Sequence, residues 1–493
     1  MSKYYSSTRN KQNTLNAKEA ILKGFADDKG LFVLPSLGEE QIDLTKLSEL
    51  SYQQIAEQVL TLLLPDFSTT EIQNAIQNAY TNSFDNDEIT PLKAVDDFYV
   101  LELFHGPTSA FKDVGLQLLP ELMKQSVANN QQVMILAATS GDTGTAALDG
   151  FKDKSQMGIT VFYPDGGVSP VQQQQMLTTS GENTRVAAID GNFDDAQTNV
   201  KKIFNDSSLK AKLGNNKLLS SANSINIGRL IPQIVYYFSA YKQLIQAGRI
   251  KRGDQVSFTV PTGNFGDVLA GYYAKKLGLP VDQLVVACNE NNVLADFFAT
   301  GIYNRNRPFF KTIAPSMDIQ VSSNFERLLY YESGQDDQYI KALMDSLETT
   351  GQYQITSELL GKIKQEFACG YSTDSQIEAA IKLVFEKYGY LMDPHTASGY
   401  RVLRDEQKDQ VPMILLSTAS PYKFADAVSD ALFSKHDDDV KENINKIRQA
   451  TQVEIPKNLQ AIWDKQMVAN PTIEPSEMTD LVWKNIGEVF GDD

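Results

Sequence analysis

"VMILAATSGDTGTAAL", residues 133–148, decides how the rest of the chain is read. Its first six residues are apolar with no polar alternation, as in a strand buried on both faces. The run breaks at Ser140 and Gly141, and a helical pattern begins after Asp142. A strand that feeds straight into a helix predicts a crossover unit and therefore a parallel sheet. Gly141 and Gly144 permit a tight turn, and Ser140, Asp142 and Thr143 can cap the helix. Unpaired backbone N–H groups at a helix start form an anion site by construction. The same residues would equally serve a plain, well-capped strand-to-helix turn. The stretch has neither the Lys-Ser/Thr ending of a Walker loop nor the GxGxxG spacing of a dinucleotide site.

The pattern repeats outward from there. "FYVLELF" (98–104), "ITVFYP" (159–164), "TRVAAI" (184–189), "VSFTV" (256–260), "LVVAC" (284–288) and "MILLS" (413–417) are short apolar runs. Helical patterns such as "SPVQQQQMLTT" and "NIGRLIPQIVYYFSAYKQLIQAG" lie between many of them. Strands alternating with helices give an α/β fold with a mainly parallel sheet. The first 95 or so residues read mostly helical: Pro65 stops "LSYQQIAEQVLTLLLP", and Ser68 or Thr69 caps "TEIQNAIQNAYTNSF". Residues 305–400 read as mostly helical and more polar, and "SKHDDDVKENINKIRQATQ" (434–452) as a solvated charged helix or loop.

Length and charge narrow the function. A chain of 493 residues predicts two to four domains. Its 45 basic and 62 acidic residues leave a net charge of -17, which argues against nucleic acid or an anionic membrane as partner. An anionic small molecule is still allowed, because one pocket can be basic on an acidic protein. Two cysteines without a CxxC spacing suit a reducing, cytoplasmic setting, and three histidines make a zinc site improbable. The start shows no signal-peptide core, and no stretch approaches the roughly 20 apolar residues needed to span a bilayer.

Several segments could carry chemistry. In "LELFHGPTSAFKDVGLQLLP" (101–120), Lys112 follows Phe111 where a new apolar periodicity begins. A free lysine titrates near 10.4, and burial lowers that value, freeing the amine to attack an aldehyde. The plain alternative is a lysine that snorkels from a helix start. In "VPTGNFGDVLAG" (260–271), the loop Gly263, Asn264, Phe265, Gly266 stands between a strand and a helix, a setting suited to a dianionic phosphate. In "LLSTASPYKFADAV" (415–428), the hydroxyls of Ser417, Thr418 and Ser420 meet a ligand or cap the next helix. In "SSANSINIGRLIPQ" (220–233), Asn226 precedes Arg229, a residue type suited to phosphate or carboxylate. In "LMDPHTASGY" (391–400), His395 reads as exposed or capping.

Taken together, "HGPTSAFKD", "ATSGDTG", "SANSINIGR", "PTGNFGD", "DPHTASG" and "LSTASPYKF" resemble, in order, the motifs of the threonine synthase family. "YSSTR" (5–9) and "TPLK" (90–93) extend the resemblance over most of the chain. It implies a pyridoxal 5'-phosphate (PLP) enzyme of fold type II, a carbon-oxygen lyase. The implied architecture is a helical N-terminal region (1–97), a large α/β domain (98–126 and 225–493) and an inserted small α/β domain (127–224). It implies Lys112 as the covalent and catalytic lysine, Gly263, Asn264, Phe265 and Gly266 as the phosphate loop, Thr418 at the ring nitrogen and Asp142 near the ring oxygen. Ser140, Thr143, Asn226 and Arg229 would meet the substrate, with no metal. The implied reaction turns O-phospho-L-homoserine and water into L-threonine and phosphate, in a monomer or homodimer. A phospholyase releasing 2-oxobutyrate, an inactive homologue acting as a binding module and a nucleotide binder are the alternatives. Two departures stand out: Ser420 occupies a position where relatives often carry histidine, and Asn10 follows "STR" where glycine is common.

Overall fold

The computed structural model describes residues 4–408 and 410–491. Two sheets organise the chain. The larger has six strands in the order Phe367–Tyr371, Val281–Cys288, Val256–Pro261, Met413–Ser417, Phe98–Glu102, Leu92–Val95. Its neighbours run parallel except for the last pair, an antiparallel edge. The smaller has five parallel strands in the order Thr472–Ile473, Thr184–Ile189, Met157–Pro164, Gln132–Ala138, Lys217–Ser221. The α/β class with mainly parallel sheets is the one read from the sequence, and every apolar run quoted above forms a strand.

Unbroken apolar runs suit these positions because both faces are covered. Met157–Pro164 and Val256–Pro261 are buried at every residue. Alternate residues serve different cores. Val133, Ile135 and Ala137 join the main core, while Met134, Leu136 and Ala138 pack with Phe204, Val482 and Ile486. Leu284 and Val286 likewise join the main core, while Val285 and Ala287 pack with Ile377, Ile381 and Val402. A slip of one residue would exchange the two sets, so the register is firmly specified.

The structure corrects the domain reading in three places. The first 33 residues are not only helical: Asn10–Leu15, Tyr5–Ser7 and Phe32–Val33 form an antiparallel sheet, too short to leave a periodic signal. The boundary at residue 97 falls inside the hairpin of Leu92–Val95 and Phe98–Glu102, so the large sheet begins earlier. The chain's end leaves the large domain to which it was assigned. Thr472–Ile473 pairs with Thr184–Ile189, and the helix Met478–Phe490 packs on the small sheet. Three smaller readings also resolve. Ser68, not Thr69, caps the helix Thr69–Tyr80 in a capping box with Glu71. Within 434–452 the helix Val440–Thr451 buries Asn443, Ile444 and Ile447. Phe367–Tyr371, inside the segment read as mostly helical, is the far edge strand of the large sheet.

Three neighbouring strands of the large sheet, Val256–Pro261, Met413–Ser417 and Phe98–Glu102, end side by side. The segments after them carry residues 262–265, 418–420 and 103–111. Ligands of open parallel sheets bind outside these carboxyl ends.

Candidate active site

Backbone pairing between two of these strand ends fixes the lysine. Leu103 N–H donates to Ser417 O at 2.9 Å, Phe111 N–H to Thr418 O at 2.8 Å and Ser420 N–H to Ser109 O at 3.0 Å. The helix Lys112–Ser126 begins at once after this ladder. Asp113 accepts from Thr108 N–H at 2.9 Å and from its hydroxyl at 2.6 Å, tying the preceding loop to the first turn. Lys112 is therefore buried rather than snorkelling.

Its Nζ lies 3.7 Å from Asp142 Oδ2, donates to Ser316 Oγ at 3.3 Å and sits 5.1 Å from the centre of the Phe111 ring. Burial pushes its pKa down to about 8; the Asp142 carboxylate opposes the shift, and the Arg229 and Lys423 charges add to it. The amine is thus partly free near neutral pH, as nucleophilic attack requires.

Asp142 opens the helix Asp142–Phe151 and stands between two lysines. Lys423 Nζ is 3.1 Å from its Oδ1, and Gln172 donates to the same oxygen at 2.8 Å. Burial disfavours the charged carboxylate, yet Lys423, Lys112 and the Gln172 amide together hold its pKa well below the usual range. Lys423 is fully buried and also donates to Thr108 O at 2.7 Å and Gln175 Oε1 at 2.8 Å.

The glycine loop closes another wall. Ser322 donates to Gly263 O at 2.6 Å, and Asn324 donates twice to Asn264 O, at 3.1 and 3.0 Å. Phe265 takes a left-handed conformation, φ 62°, and its ring packs 5.0 Å from Phe325 and 5.8 Å from Phe367. A Cβ on Gly263 would meet the Ser316 carbonyl at 2.6 Å, so only glycine fits there. The helix Gly266–Lys276 follows, its N-terminus at the cavity. Asp267 in its first turn gives one oxygen to Tyr236, at 2.5 Å, and Tyr237, at 3.0 Å; the other has no partner. Burial lifts its pKa to about 7 against the pull of both tyrosines and of Lys112.

Lys112, Ser140, Thr143, Arg229, Gly263, Asn264, Phe265, Gly266 and Thr418 therefore line one cavity, as the sequence reading grouped them. Arg229 is buried, which lowers its pKa to about 10; it donates to Ala222 O at 2.9 Å and Thr143 Oγ1 at 3.4 Å, while Nε has no partner. Asn226 is a correction. Its side chain accepts from Gly228 N–H at 2.9 Å and donates to Ile21 O and Ser221 O, so it caps its own helix and is spent. Asp142 stands behind Lys112 rather than among the lining residues. The expectation of an exposed or capping His395 also fails. The ring is buried, 4.8 Å from the Phe424 ring, and lines the cavity. Its Nε2 accepts from Ser316 N–H at 3.1 Å, so the ring proton is on Nδ1, 2.8 Å from Asp393 Oδ1. Ser420 does not line the cavity; the imidazole there comes from His395. Ser316, Asp267, Lys423 and His395 are the functional candidates that sequence reasoning missed.

The chemistry of this donor set suits an aldehyde that also carries a phosphate. A buried amine near neutrality faces a loop that requires glycine at 263 and leads into a helix N-terminus, and Asn264 Oδ1, Arg229 Nε and Asp267 Oδ2 are buried polar atoms without protein partners.

Comparison with known proteins identifies the family and the fold. Residues 4–80 match the profile of "Threonine synthase N terminus", 87–415 "Pyridoxal-phosphate dependent enzyme" and 396–467 "Threonine synthase, C-terminal". The chain is 38% identical to human "Threonine synthase-like 1", a match covering 84% of this chain and 58% of the relative's length. It is 36% identical to the threonine synthase of Saccharomyces cerevisiae, covering 87% of this chain and 89% of that one. The crystal structure of PLP bound threonine synthase from Brucella melitensis superposes with a TM-score of 0.86 at 38% identity, covering 98% of this chain and 99% of that one.

Proposed function

The chain belongs to the threonine synthase family of pyridoxal-phosphate-dependent, fold type II enzymes, and from that premise we propose that it converts O-phospho-L-homoserine and water into L-threonine and phosphate. The observation that carries the reading is the buried Lys112 amine at the junction of two strand ends, facing the Gly263–Gly266 loop. PLP, held by Lys112, would supply an electron sink that lets protons leave the carbons beside the substrate nitrogen.

The chain's own residues account for the rest. The loop and the N-terminus of Gly266–Lys276 would take the cofactor phosphate through backbone N–H groups and helix polarity. The Thr418 hydroxyl would face the ring nitrogen, a neutral partner that does not force a positive charge on it. Lys112 Nζ, its pKa lowered to about 8, can take a proton from one substrate carbon and return it to another. Ser140 and the turn after it would receive the substrate carboxylate. Arg229, with Nε unspent and Thr143 beside it, would hold the substrate phosphate and its growing charge as the C–O bond breaks. The expected partner is thus a small molecule. Two free cysteines suit the cytoplasm as the compartment; the state proposed with it is a monomer or homodimer.

Borohydride reduction of the loaded protein should fix the label on Lys112, and O-phospho-L-homoserine should yield threonine. Release of 2-oxobutyrate in place of threonine, or a label on another lysine, would overturn the assignment.

A further inference from the structure

Beside the site lies a cavity of about 730 Å³, an order of magnitude larger than the site's own 70 Å³. A smaller cavity of about 20 Å³ lies between them. Phe25, Gln197 and Ser323 border it and the larger cavity, and Asn223, Ser224 and Asn264 border it and the site. The cavities thus share walls, and the wall between the small cavity and the site includes Asn264 of the glycine loop.

The lining is basic. Arg9, Lys29, Lys202 and Arg305 face it against two carboxylates, Glu326 and Glu348, an excess of two positive charges. Both carboxylates are engaged by lining cations. Arg9 meets Glu326 at 2.8 Å and Glu348 at 3.5 Å, and Lys29 meets Glu348 at 2.8 Å. Lys202 and Arg305 bond to neutral oxygens, Asn199 Oδ1 at 3.3 Å and the Glu348 carbonyl at 3.2 Å, so their charge is left for a ligand. This stands out on a protein of net charge -17, whose general field repels anions. Screening confines that field to about 10 Å at 0.1 M salt, so a local basic lining decides what an approaching anion feels.

We propose that this cavity is an electropositive antechamber that captures the dianionic phosphate monoester and hands it on, by way of the small cavity between them, to the catalytic site. The inference rests on the functional reading above, which identifies the substrate as such an anion. Capture of this kind raises the second-order rate constant and leaves the chemical step alone.

The test is the double variant Lys202→Glu/Arg305→Glu, assayed as PLP-loaded enzyme with O-phospho-L-homoserine from low to high salt. Neither residue belongs to the catalytic machinery. The expected result is a roughly 10-fold lower kcat/KM at low salt, kcat within about twofold, and a flatter decline of kcat/KM with salt. Lys202→Gln/Arg305→Gln should fall between it and the wild type, which separates charge from a folding defect. If the wild type makes threonine but neither variant changes kcat/KM or its salt slope, the antechamber alone is overturned. If the wild type makes no threonine, the functional reading fails and the antechamber with it.

Discussion

Two lysines flank the Asp142 carboxylate, and only Lys112 opens onto the cavity. Lys423, fully buried behind it, is the closer counter-ion at 3.1 Å. Its charge acts twice: it keeps Asp142 ionised, and it helps hold the Lys112 pKa near 8. Replacing it in Lys423→Met breaks a buried charge pair, a change that costs about 3–5 kcal/mol. The sign of the electrostatic effect is fixed. With one positive neighbour gone and Asp142 left to favour the ammonium, the Lys112 midpoint moves above 8. Uptake of PLP by the apo-protein, followed by its chromophore, should then slow at pH 7.5 and recover at higher pH. Lys423→Arg keeps the charge and should hold the wild-type midpoint; a Met variant with an unshifted midpoint contradicts the coupling. Lys423 was legible in principle, since Tyr422 and Phe424 give it the aromatic setting that singled out Lys112. His395 was not, because its burial comes from Phe424 and Ser316, both distant in sequence. Asn226 misled for the opposite reason: an amide before a helix reads alike whether it meets a ligand or caps, and here it caps.

The helices that carry Lys112 and Asp142 touch through a glycine and a proline. Pro120 has no N–H, so the Leu116 carbonyl within Lys112–Ser126 lacks its helical donor. Gly150 of the helix Asp142–Phe151 packs against that carbonyl so closely that a Cβ would lie 2.0 Å from it. The obstacle is backbone, which cannot rotate away. Gly150→Ala should force the helices apart, costing about 1–3 kcal/mol by overpacking. It should also lengthen the 3.7 Å contact of Lys112 with Asp142 and lower kcat about 10-fold. Urea unfolding and steady-state kinetics together check this; a variant as stable and as active as the wild type refutes the close-contact argument. The elements themselves were readable because parallel strands covered on both faces leave unbroken apolar runs, as in "VSFTV" and "MILLS". Gly150 gave only a weak hint, because a glycine in the last turn of a helix reads as an ordinary helix ending.

At the scale of the whole molecule, the chain closes on itself. The strand Thr472–Ile473 extends the small sheet beside Thr184–Ile189, nearly 300 residues away in sequence. The helix after it buries Met478, Val482 and Ile486 in the cluster of Met134, Leu136, Phe162 and Ile189. Asn485 adds a buried bond to Thr160 Oγ1 at 3.1 Å. No reading of local pattern could assign this tail, because a two-residue strand has no periodicity and an amphipathic helix does not name its partner. The contact is nevertheless large in energy. Each fully buried apolar side chain contributes about 1.5–3 kcal/mol, so three approach the 5–15 kcal/mol that holds a typical domain together. A chain ending at Pro471 would expose one face of the small sheet, which carries the turn of Ser140 and Thr143. Such a truncation should bind a hydrophobic dye, lose activity and unfold at lower urea in a first transition assigned to the small sheet. Ile486→Ala in the full chain should give a milder version, about 2–5 kcal/mol. Should the truncated chain unfold at the wild-type midpoint and retain activity, the tail is an appendage, and the small sheet is stable on residues 127–224 alone.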